Sequence, residues 1–491
     1  MRRWLSLAVL TGAVLLLAID STVLYLAVPS LTRDLDPTAT QVLWIGDIYS
    51  LAIAGLLVTM GNVADRIGRK KLLLIGSAAF GIASIVAAFA PSAEVLIAAR
   101  LVLGIAGATL MPSTLSLIRN IFTDPTERTR AIAIWSAAAA SGIALGPIVG
   151  GVLLEHFWWG SVFLINIPVM LVILVAGAIL LPESKNPDSG RFDLLSSALS
   201  MLAIVPFVAL IKRVAGGTFD LFAAALVIAS VVGAWLFIRR QRRSSHPMIE
   251  VDLFKNGAFS GAVVVNFISV FAMSGALFFF SQYLQLAREL GPLEAGLAQL
   301  PAALASMAAI TVVGMLLRRL GRGRAIALAL TIGAVGLLLV GTLEQAESVL
   351  WVVFALVPLG FGIGISETLS VDAVVSAVPS EKAGAASSIS ETAYELGGAL
   401  GIAILGSLMT VLYRAQLVLP AGSEGSEAAR DSLARAMAEL DASSPALAAA
   451  HDAFVAAMQT TTFVAAGVMA VGALLAWRLI PNSRATVDAH G

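Results

Sequence analysis

Acidic side chains stand inside long apolar stretches of this chain, where a charge is costly. Asp20 lies within the apolar run 15–29, and Glu391 and Glu395 lie within a second run further along. A charge near the middle of a bilayer costs about 2.5–3.5 kcal/mol on insertion scales, so such acids usually face a bundle interior or a water-filled cavity. The chemistry open to them is binding and releasing protons, or attracting a cation.

Glu391 and Glu395 are one helical turn apart, so their carboxylates share a helix face with roughly 6 Å between the Cβ atoms. Two acids that close in a low dielectric do not easily both ionise. The pair is therefore suited to holding a proton at neutral pH and releasing it when a cation arrives. The alternative is a pair exposed at a helix end, because this span begins near Ala385.

Asp20 has one candidate partner of opposite charge, Arg100, which also lies inside an apolar stretch. A fixed pair would be neutral and purely structural. An arginine that exchanges Asp20 for another partner would instead serve proton coupling, and this is the interpretation we favour.

Asp47 is flanked by Trp44 and Tyr49, and an acid among aromatic rings suits a lipophilic cation. The alternative is a solvated acid in an interfacial aromatic belt. Tyr394 and Glu367 are further candidates for the lining of a substrate cavity. Which way Glu367 faces does not follow from the sequence, and the same holds for Asp372, which stands near a helix end.

The composition indicates the elements that position these side chains. Of the 491 residues, 58% are hydrophobic and 13% are charged, and the mean hydropathy is +0.92. This is typical of a polytopic helical membrane protein and excludes a soluble globular one. The absence of cysteine excludes disulfides and thiolate sites. All four histidines lie outside the predicted spans, so we expect no metal site.

Apolar runs predict fourteen membrane spans. Their approximate bounds are 5–29, 41–63, 71–90, 95–118, 130–154, 159–181, 192–213, 219–239, 258–284, 293–317, 325–343, 349–373, 385–412 and 454–480. The first apolar run follows the basic residues Arg2 and Arg3, and a signal peptide has the same order of a basic and then an apolar segment. It continues past Asp20 to Pro29, however, and another span follows at once, so we expect an uncleaved first helix.

The basic residues predict the orientation. The loops and tails on the side of the termini carry 23 of the 31 Lys and Arg, whereas the opposite side carries 7, Lys212 among them. Arg100 is then the only basic residue expected inside the membrane. The positive-inside rule places both termini in the cytoplasm.

An internal repeat predicts the domain organisation. The loop motif 61–71 aligns without a gap to 314–324, with Asp65 replaced by Arg318. Two parallel six-helix halves, 1–183 and 251–491, with two helices inserted in the linker 184–250, account for this repeat and suit a transporter that rocks about a central site.

One long loop, 415–453, lies on the side opposite the termini. We expect a short helical hairpin there, with a first helix that Ser423 or Ser426 caps and that ends at Glu439, and a second from Pro445. A plain spacer is the alternative.

Three motifs carry a resemblance to a known family. The first is the loop Gly61, Asp65, Arg66, Gly68 and Arg69; the second is the helix containing Arg100, Gly104 and Gly107; the third is Gly142, Gly146, Pro147, Gly150 and Gly151. With the membrane acids, they resemble the major facilitator superfamily over nearly the full chain. Within it, the chain resembles the fourteen-helix drug:proton antiporters of the QacA, SmvA and LfrA type.

The resemblance implies an all-α integral membrane protein with the major-facilitator fold, two six-helix bundles plus two inserted helices. It implies export of quaternary ammonium compounds, cationic dyes and related drugs across a bacterial cytoplasmic membrane in exchange for protons, by alternating access. The driving force would be the proton gradient with no cofactor, and the protein would act as a monomer among membrane lipids, without nucleic acid. The loop motif would be a cytoplasmic gate, with Asp65 facing the start of a helix of the other half, where the helix dipole favours a negative charge. The glycine motif would seal the path against proton leak.

Two competing hypotheses remain at this point. The same fold could carry a zwitterionic, anionic or lipid-like solute, or the protein could be a membrane protein that transports nothing. The sequence contains no nucleotide-binding glycine loop and no catalytic Ser/His/Asp set, so we do not expect an enzyme.

Overall fold

The structure is a computed structural model that describes residues 2–185, 193–244, 247, 249–378, 382–419 and 426–482. A 3-10 turn, Val251–Lys255, and a π-helical turn, Tyr283–Ala287, accompany the α-helices. The α-helices are α1 (Arg2–Leu35), α2 (Ala39–Ile67), α3 (Arg69–Ala88), α4 (Ala93–Ile121), α5 (Pro125–His156), α6 (Ser161–Leu164), α7 (Asn166–Leu180), α8 (Leu194–Ala215), α9 (Leu221–Arg243), α10 (Gly257–Gln282), α11 (Pro292–Leu320), α12 (Arg322–Leu343), α13 (Val349–Ser376), α14 (Ala383–Gln416), α15 (Ser426–Asp431), α16 (Leu433–Glu439) and α17 (Pro445–Leu479).

The predicted number of spans is confirmed. Within the described residues, 14 helical stretches are long and apolar enough to cross a membrane, with α6 and α7 together forming one of them. The bundle has two ends. We call the end that holds Arg3, Gly68 and Gly321 the terminal face, and the end that holds α15 and α16 the hairpin face.

The two copies of the loop motif share a backbone feature at the same glycine. Gly68 and Gly321 both have positive φ angles, 116° and 78°, in a region that L side chains rarely adopt. Each closes the preceding helix through its N–H, which donates to Ala64 O at 3.0 Å and to Leu317 O at 3.1 Å. The shared geometry explains why glycine stands at both places; the division of the chain at 183 and 250 stays a prediction.

The inserted helices form a hairpin whose inner member, α8, packs against α2 and α14. It forms polar contacts with α2: the hydroxyls of Thr59 and Ser197 form a hydrogen bond, and Ser200 donates to Gly55 O at 3.5 Å. Against α14 it has an apolar contact, in which Val208 clusters with Ala399 and Ala403. These contacts join the inserted hairpin to both halves of the chain, to the first by hydrogen bonds and to the second by apolar side chains.

The long loop before the last span differs in detail from its prediction. The expected first helix is divided into α15 and α16 because Ser432 caps a new helix, its Oγ accepting from the Arg435 N–H at 3.2 Å. The expected second helix is the beginning of α17, which runs unbroken from Pro445 and so includes His451. Ser423 lies outside the described residues.

This loop contacts the first half of the chain on the hairpin face. Arg435 forms an ion pair with Asp36, at 3.1 Å, in the connection between α1 and α2. Asp431 accepts a hydrogen bond from the Ala39 N–H at the start of α2. Burial raises the pKa of Asp431, and the guanidinium groups of Arg435 and Arg414 oppose that shift. The contacts tie the two halves together at this end.

Candidate transport site

A cavity of about 310 Å³ lies between the two halves of the bundle. Helices α1 and α5 form one wall, and α10, α11, α13 and α14 form the other. Most of the lining is aliphatic, and its polar members include Tyr25, Gln299, Glu367 and Tyr394. A largely apolar cavity of this size with a few polar groups is the usual form of a small-molecule site.

Three carboxylates lie close together, and one of them lines this cavity. Glu367 of α13 is part of the lining, and it is near enough to Glu391 for their charges to interact. Glu391 in turn interacts with Glu395, as expected for two residues one turn apart on α14. All three are partly buried rather than exposed at a helix end.

The described residues offer these three acids no basic partner. The buried ion pairs there join Asp20 to Arg100 and Asp47 to Lys212, and no Lys or Arg pairs with Glu367, Glu391 or Glu395. Because a buried charge without a partner is unfavourable, these acids are suited to holding a proton or a bound cation.

Aromatic rings complete this part of the cavity. Tyr394 stands beside the carboxylates on α14, and Tyr25 of α1 faces them from the other half. The Tyr25 ring packs edge-on against Phe278, with centroids 5.5 Å apart. Sequence reasoning missed Tyr25, and Asp20 gave no signal for it, because residues five apart on a helix point to different sides.

Asp20 lies elsewhere, in the interior of the first half. Its carboxylate accepts from Asn166 Nδ2 at 2.7 Å and from Arg100 NH1 at 3.4 Å, and Asn166 also donates to Ser84 Oγ at 3.1 Å. Asp20 and Arg100 are each only 1% exposed. The pairing that the sequence indicated is present, and Asp20 does not line the cavity.

Tyr49 stands between Asp20 and the carboxylates of the cavity. The Arg100 guanidinium lies 4.6 Å from the centroid of its ring. The hydroxyl is buried without a hydrogen-bond partner among the described residues, and it interacts electrostatically with Asp20 and with Glu395. Ser50, the next residue, forms a hydrogen bond with Glu395, so this turn of α2 links the two acidic groups.

The position of Lys212 corrects the sequence analysis. Instead of lying in a loop, it is buried in α8, with Nζ 2.6 Å from Asp47 Oδ2 and 3.6 Å from the centroid of the Trp44 ring. Arg100 is therefore not the only basic residue inside the membrane. The arrangement of an acid among aromatics is present, but the cation that occupies it is the chain's own ammonium group.

The loop motif at the terminal face is held within the first half. Asp65 accepts from Arg69 at 2.7 Å, whereas we expected it to face a helix of the other half. The acid that faces the start of a helix is instead Glu183. It accepts hydrogen bonds from the N–H groups of Lys70 and Lys71 at the start of α3, at 3.2 Å each. Gly61 packs near Pro112 and the Arg66 side chain is exposed.

The glycines of α5 form two close helix contacts. Gly142, Gly146 and Gly150 face α1, where a Cβ on Gly142 would lie 2.6 Å from Leu15 O. Gly151 faces α11, with its would-be Cβ 2.8 Å from the Leu293 Cα. Small residues permit such approaches.

Close contacts shut the cavity towards the hairpin face. Gly296 of α11 packs directly on the Pro147 carbonyl, and Gln285 donates to Leu26 O at 3.0 Å. Both contacts join the two halves on the hairpin side of the cavity. Towards the terminal face and the lipid, the lining residues Ile143, Met307 and Ile310 are exposed, so the cavity is accessible there.

Comparison with known proteins identifies the family. The family model of the Major Facilitator Superfamily matches residues 10–402. The chain belongs to the major facilitator superfamily. It is thus a transporter and not an enzyme.

Relatives within this superfamily are efflux and resistance proteins. The chain is 48% identical over 439 residues to the multidrug efflux pump LfrA of Mycolicibacterium smegmatis, covering 89% of this chain and 87% of LfrA. It is 37% identical to the methyl viologen resistance protein SmvA of Salmonella typhimurium, covering 88% and 87%. These relatives support drug efflux as the activity of this chain.

Solved structures share the fold. A bacterial homologue of the human lysosomal transporter Spinster, in an inward-facing and unoccupied conformation, superposes with a TM-score of 0.69 at 17% identity, covering 98% of each chain.

Among the described residues, no group of three or more His, Asp or Glu side chains is placed to hold a metal ion.

Proposed function

We propose that this protein exports lipophilic cations, including quaternary ammonium compounds and cationic dyes, in exchange for protons. The observation that carries the proposal is the group Glu367, Glu391 and Glu395, which has no basic partner among the described residues and stands beside an apolar, aromatic-lined cavity. A proton and a lipophilic cation would compete for these carboxylates. The name of the relative SmvA supports the cargo, since methyl viologen is an organic dication.

The exchange would follow alternating access. In a state open at the hairpin face, Glu391 and Glu395 take up protons. In the state open at the terminal face, the drug enters from the cytoplasm or the inner leaflet, displaces the protons and is enclosed. The proton gradient would supply the energy, with no cofactor. Asp20, Arg100 and Tyr49 would sense the charge of this group through Ser50 and Glu395.

We place the protein in the bacterial cytoplasmic membrane as a monomer, with the terminal face in the cytoplasm. The excess of Lys and Arg on that face supports this orientation. With this orientation, the closed hairpin face and the accessible terminal side describe an inward-open state, in which a lipophilic drug reaches the cavity past Ile143 and Met307.

An anionic or zwitterionic cargo is the competing proposal. It would need a basic side chain at the cavity whose charge is not already compensated. Among the described residues, the buried bases are Arg100 and Lys212, and each pairs with an aspartate instead. The charge pattern therefore favours a cation.

The exchange can be tested on the purified protein by its proton stoichiometry. Ethidium added to weakly buffered protein in detergent should release protons, which a pH dye detects. Glu391→Gln should reduce that release while the protein still folds. Binding of ethidium with no proton release from the wild type would contradict exchange at these carboxylates.

A further inference from the structure

A second cavity of about 480 Å³ lies far from the transport site, in the groove between α8 and α9 at the terminal face. We call it the arginine groove. Its lining is three leucines, Leu195, Leu199 and Leu236, followed by Arg239, Arg240, Arg243 and Ser244. It combines an apolar part along the helices with a basic part at their ends.

The three arginines are not equivalent. Arg240 is bound to Asp193, at 2.8 Å and 3.0 Å. Partial burial alone would raise the pKa of Asp193, but hydrogen bonds from Arg240 and Ser196 outweigh it and the pKa lies below its ordinary value. The Arg239 guanidinium lies 5.1 Å from the centroid of the Trp235 ring. In the described part of the chain, neither Arg239 nor Arg243 has an acidic partner, and both are exposed.

The outer side of this groove faces lipid. Among the described residues, helix α9 packs mainly against α8, with a smaller contact to the short 3-10 turn Val251–Lys255. Its outward residues are apolar and exposed, with Trp235 at 56% and Ile238 at 44%. Leu195, on the α8 side, is also 53% exposed. The guanidinium groups thus stand where the headgroups of the adjacent leaflet lie, directly above an apolar surface.

We propose that the arginine groove is a binding site for an anionic phospholipid. The phosphate would lie between Arg239 and Arg243, and an acyl chain would lie along Leu195, Leu199 and Leu236. Guanidinium groups bind phosphate oxygens through paired, charge-assisted hydrogen bonds, and basic pockets between membrane helices take anionic headgroups. This inference does not rest on the proposed function, because it concerns the lipid-facing hairpin and not the cavity.

The competing explanation is that these arginines only orient the helix. In that case they attract any anionic surface in a diffuse way, and removing other arginines of the same face has the same effect. A bound lipid instead requires the particular pair Arg239 and Arg243 together with the leucines.

Native mass spectrometry of the full chain in detergent tests the site, with phosphatidylglycerol and phosphatidylcholine as probes. The wild type should bind the first phosphatidylglycerol about tenfold or more tightly than phosphatidylcholine. The double variant Arg239→Gln/Arg243→Gln should lose that preference. Arg119→Gln/Arg130→Gln, which removes two exposed arginines of the terminal face at α4 and α5, should keep it. Size-exclusion profiles confirm that each variant is folded.

Three outcomes would overturn the inference. Equal binding of the two lipids by the wild type would mean that no anionic site exists. An equal loss of the preference for phosphatidylglycerol in both double variants would attribute that preference to the overall positive charge of the terminal face. Displacement of phosphatidylglycerol by inorganic phosphate at similar concentration would make the groove a site for a free anion and not for a lipid. The variant Leu199→Asn should weaken the binding of phosphatidylglycerol but leave the binding of inorganic phosphate unchanged.

Discussion

The ammonium group of Lys212 contacts both carboxylate oxygens of Asp47, at 2.8 Å and 2.6 Å, and both side chains are almost completely buried. The two residues belong to α8 and α2, so the ion pair joins the inserted hairpin to the first half of the chain. The Trp44 ring covers the ammonium from another side. The inserted helices are therefore more than spacers, since one of them supplies the counter-charge for a membrane acid.

Removing one member of this ion pair should destabilise the protein more than removing both members. Lys212→Met or Asp47→Asn alone leaves one buried charge without compensation, which costs about 3–5 kcal/mol of stability. The double variant leaves none and should recover most of the loss. The thermal unfolding midpoint in detergent measures all four proteins. If the double variant is as unstable as the sum of the single ones, the pair does not interact as the structure describes.

A methyl group on Gly146 should loosen the contact between α5 and α1. A Cβ there would overlap the Thr22 side chain and lie 3.2 Å from Ile19 O. Gly146→Ala should therefore destabilise the protein by about 1–3 kcal/mol. Gly12→Ala on α1 is the matched control, because nothing lies within 4 Å of its would-be Cβ, and it should be neutral or stabilise by up to about 1 kcal/mol. A Gly146 variant as stable as that control would contradict the close packing.

Stability should depend on pH through Glu344, which follows α12 at the hairpin face. The side chain is 1% exposed, and it accepts one hydrogen bond, from Thr462 at 3.1 Å. Burial raises its pKa from 4.5 to about 8. The folded chain therefore binds this proton more tightly than the unfolded chain does. The contribution to stability is full below about pH 4.5 and is lost as the pH rises through about 8.

The variant Glu344→Gln removes this titration and retains the shape of the protonated side chain. It should melt at a higher temperature than the wild type at pH 8.5 and at a similar temperature at pH 5. Unfolding midpoints across that interval give the comparison, with Glu347→Gln, an exposed neighbour, as the control. A constant difference between the two proteins at every pH would show that Glu344 does not titrate in this way.

The inserted helix α8 should move with α2 and slide against α14, because Thr59 and Gly55 of α2 form hydrogen bonds with it, whereas Val208 meets α14 through the apolar side chains of Ala399 and Ala403. The chain has no cysteine, so pairs can be introduced directly. A disulfide in Thr59→Cys/Ser197→Cys should leave dye efflux nearly unchanged, whereas one in Val208→Cys/Ala403→Cys should slow it until a reductant is added. The reverse pattern would assign α8 to the second half.

Hydropathy alone was sufficient for the spans, because each helix must satisfy its own backbone within the bilayer and so needs a long apolar run. The acids of α14 and the pairing of Asp20 with Arg100 followed from the same cost of buried charge. Lys212 could not be placed this way. It stands one turn before the end of its helix next to Arg213, a pattern typical of a helix end, and its partner Asp47 is distant in the chain.

The contacts that the sequence could not predict are mostly those between side chains far apart in the chain. Glu183 binds the start of α3, and Tyr25 meets acids of α14 from α1, yet neither contact has a local sequence pattern. The division of α15 from α16 depends on Ser432 as a helix cap, which we did not predict from the sequence. Local rules predicted the elements, whereas only their packing reveals which polar groups meet.

The central claim, exchange of a cation for protons at the α14 carboxylates, is tested most directly by ethidium efflux from proteoliposomes under an imposed pH gradient. The wild type and the control Glu347→Gln should show efflux that depends on the gradient. Glu391→Gln, Glu395→Gln and Asp20→Asn should lose that dependence while remaining folded. Wild-type efflux that does not depend on the gradient would contradict the account. So would gradient-dependent efflux that is unchanged in all three variants.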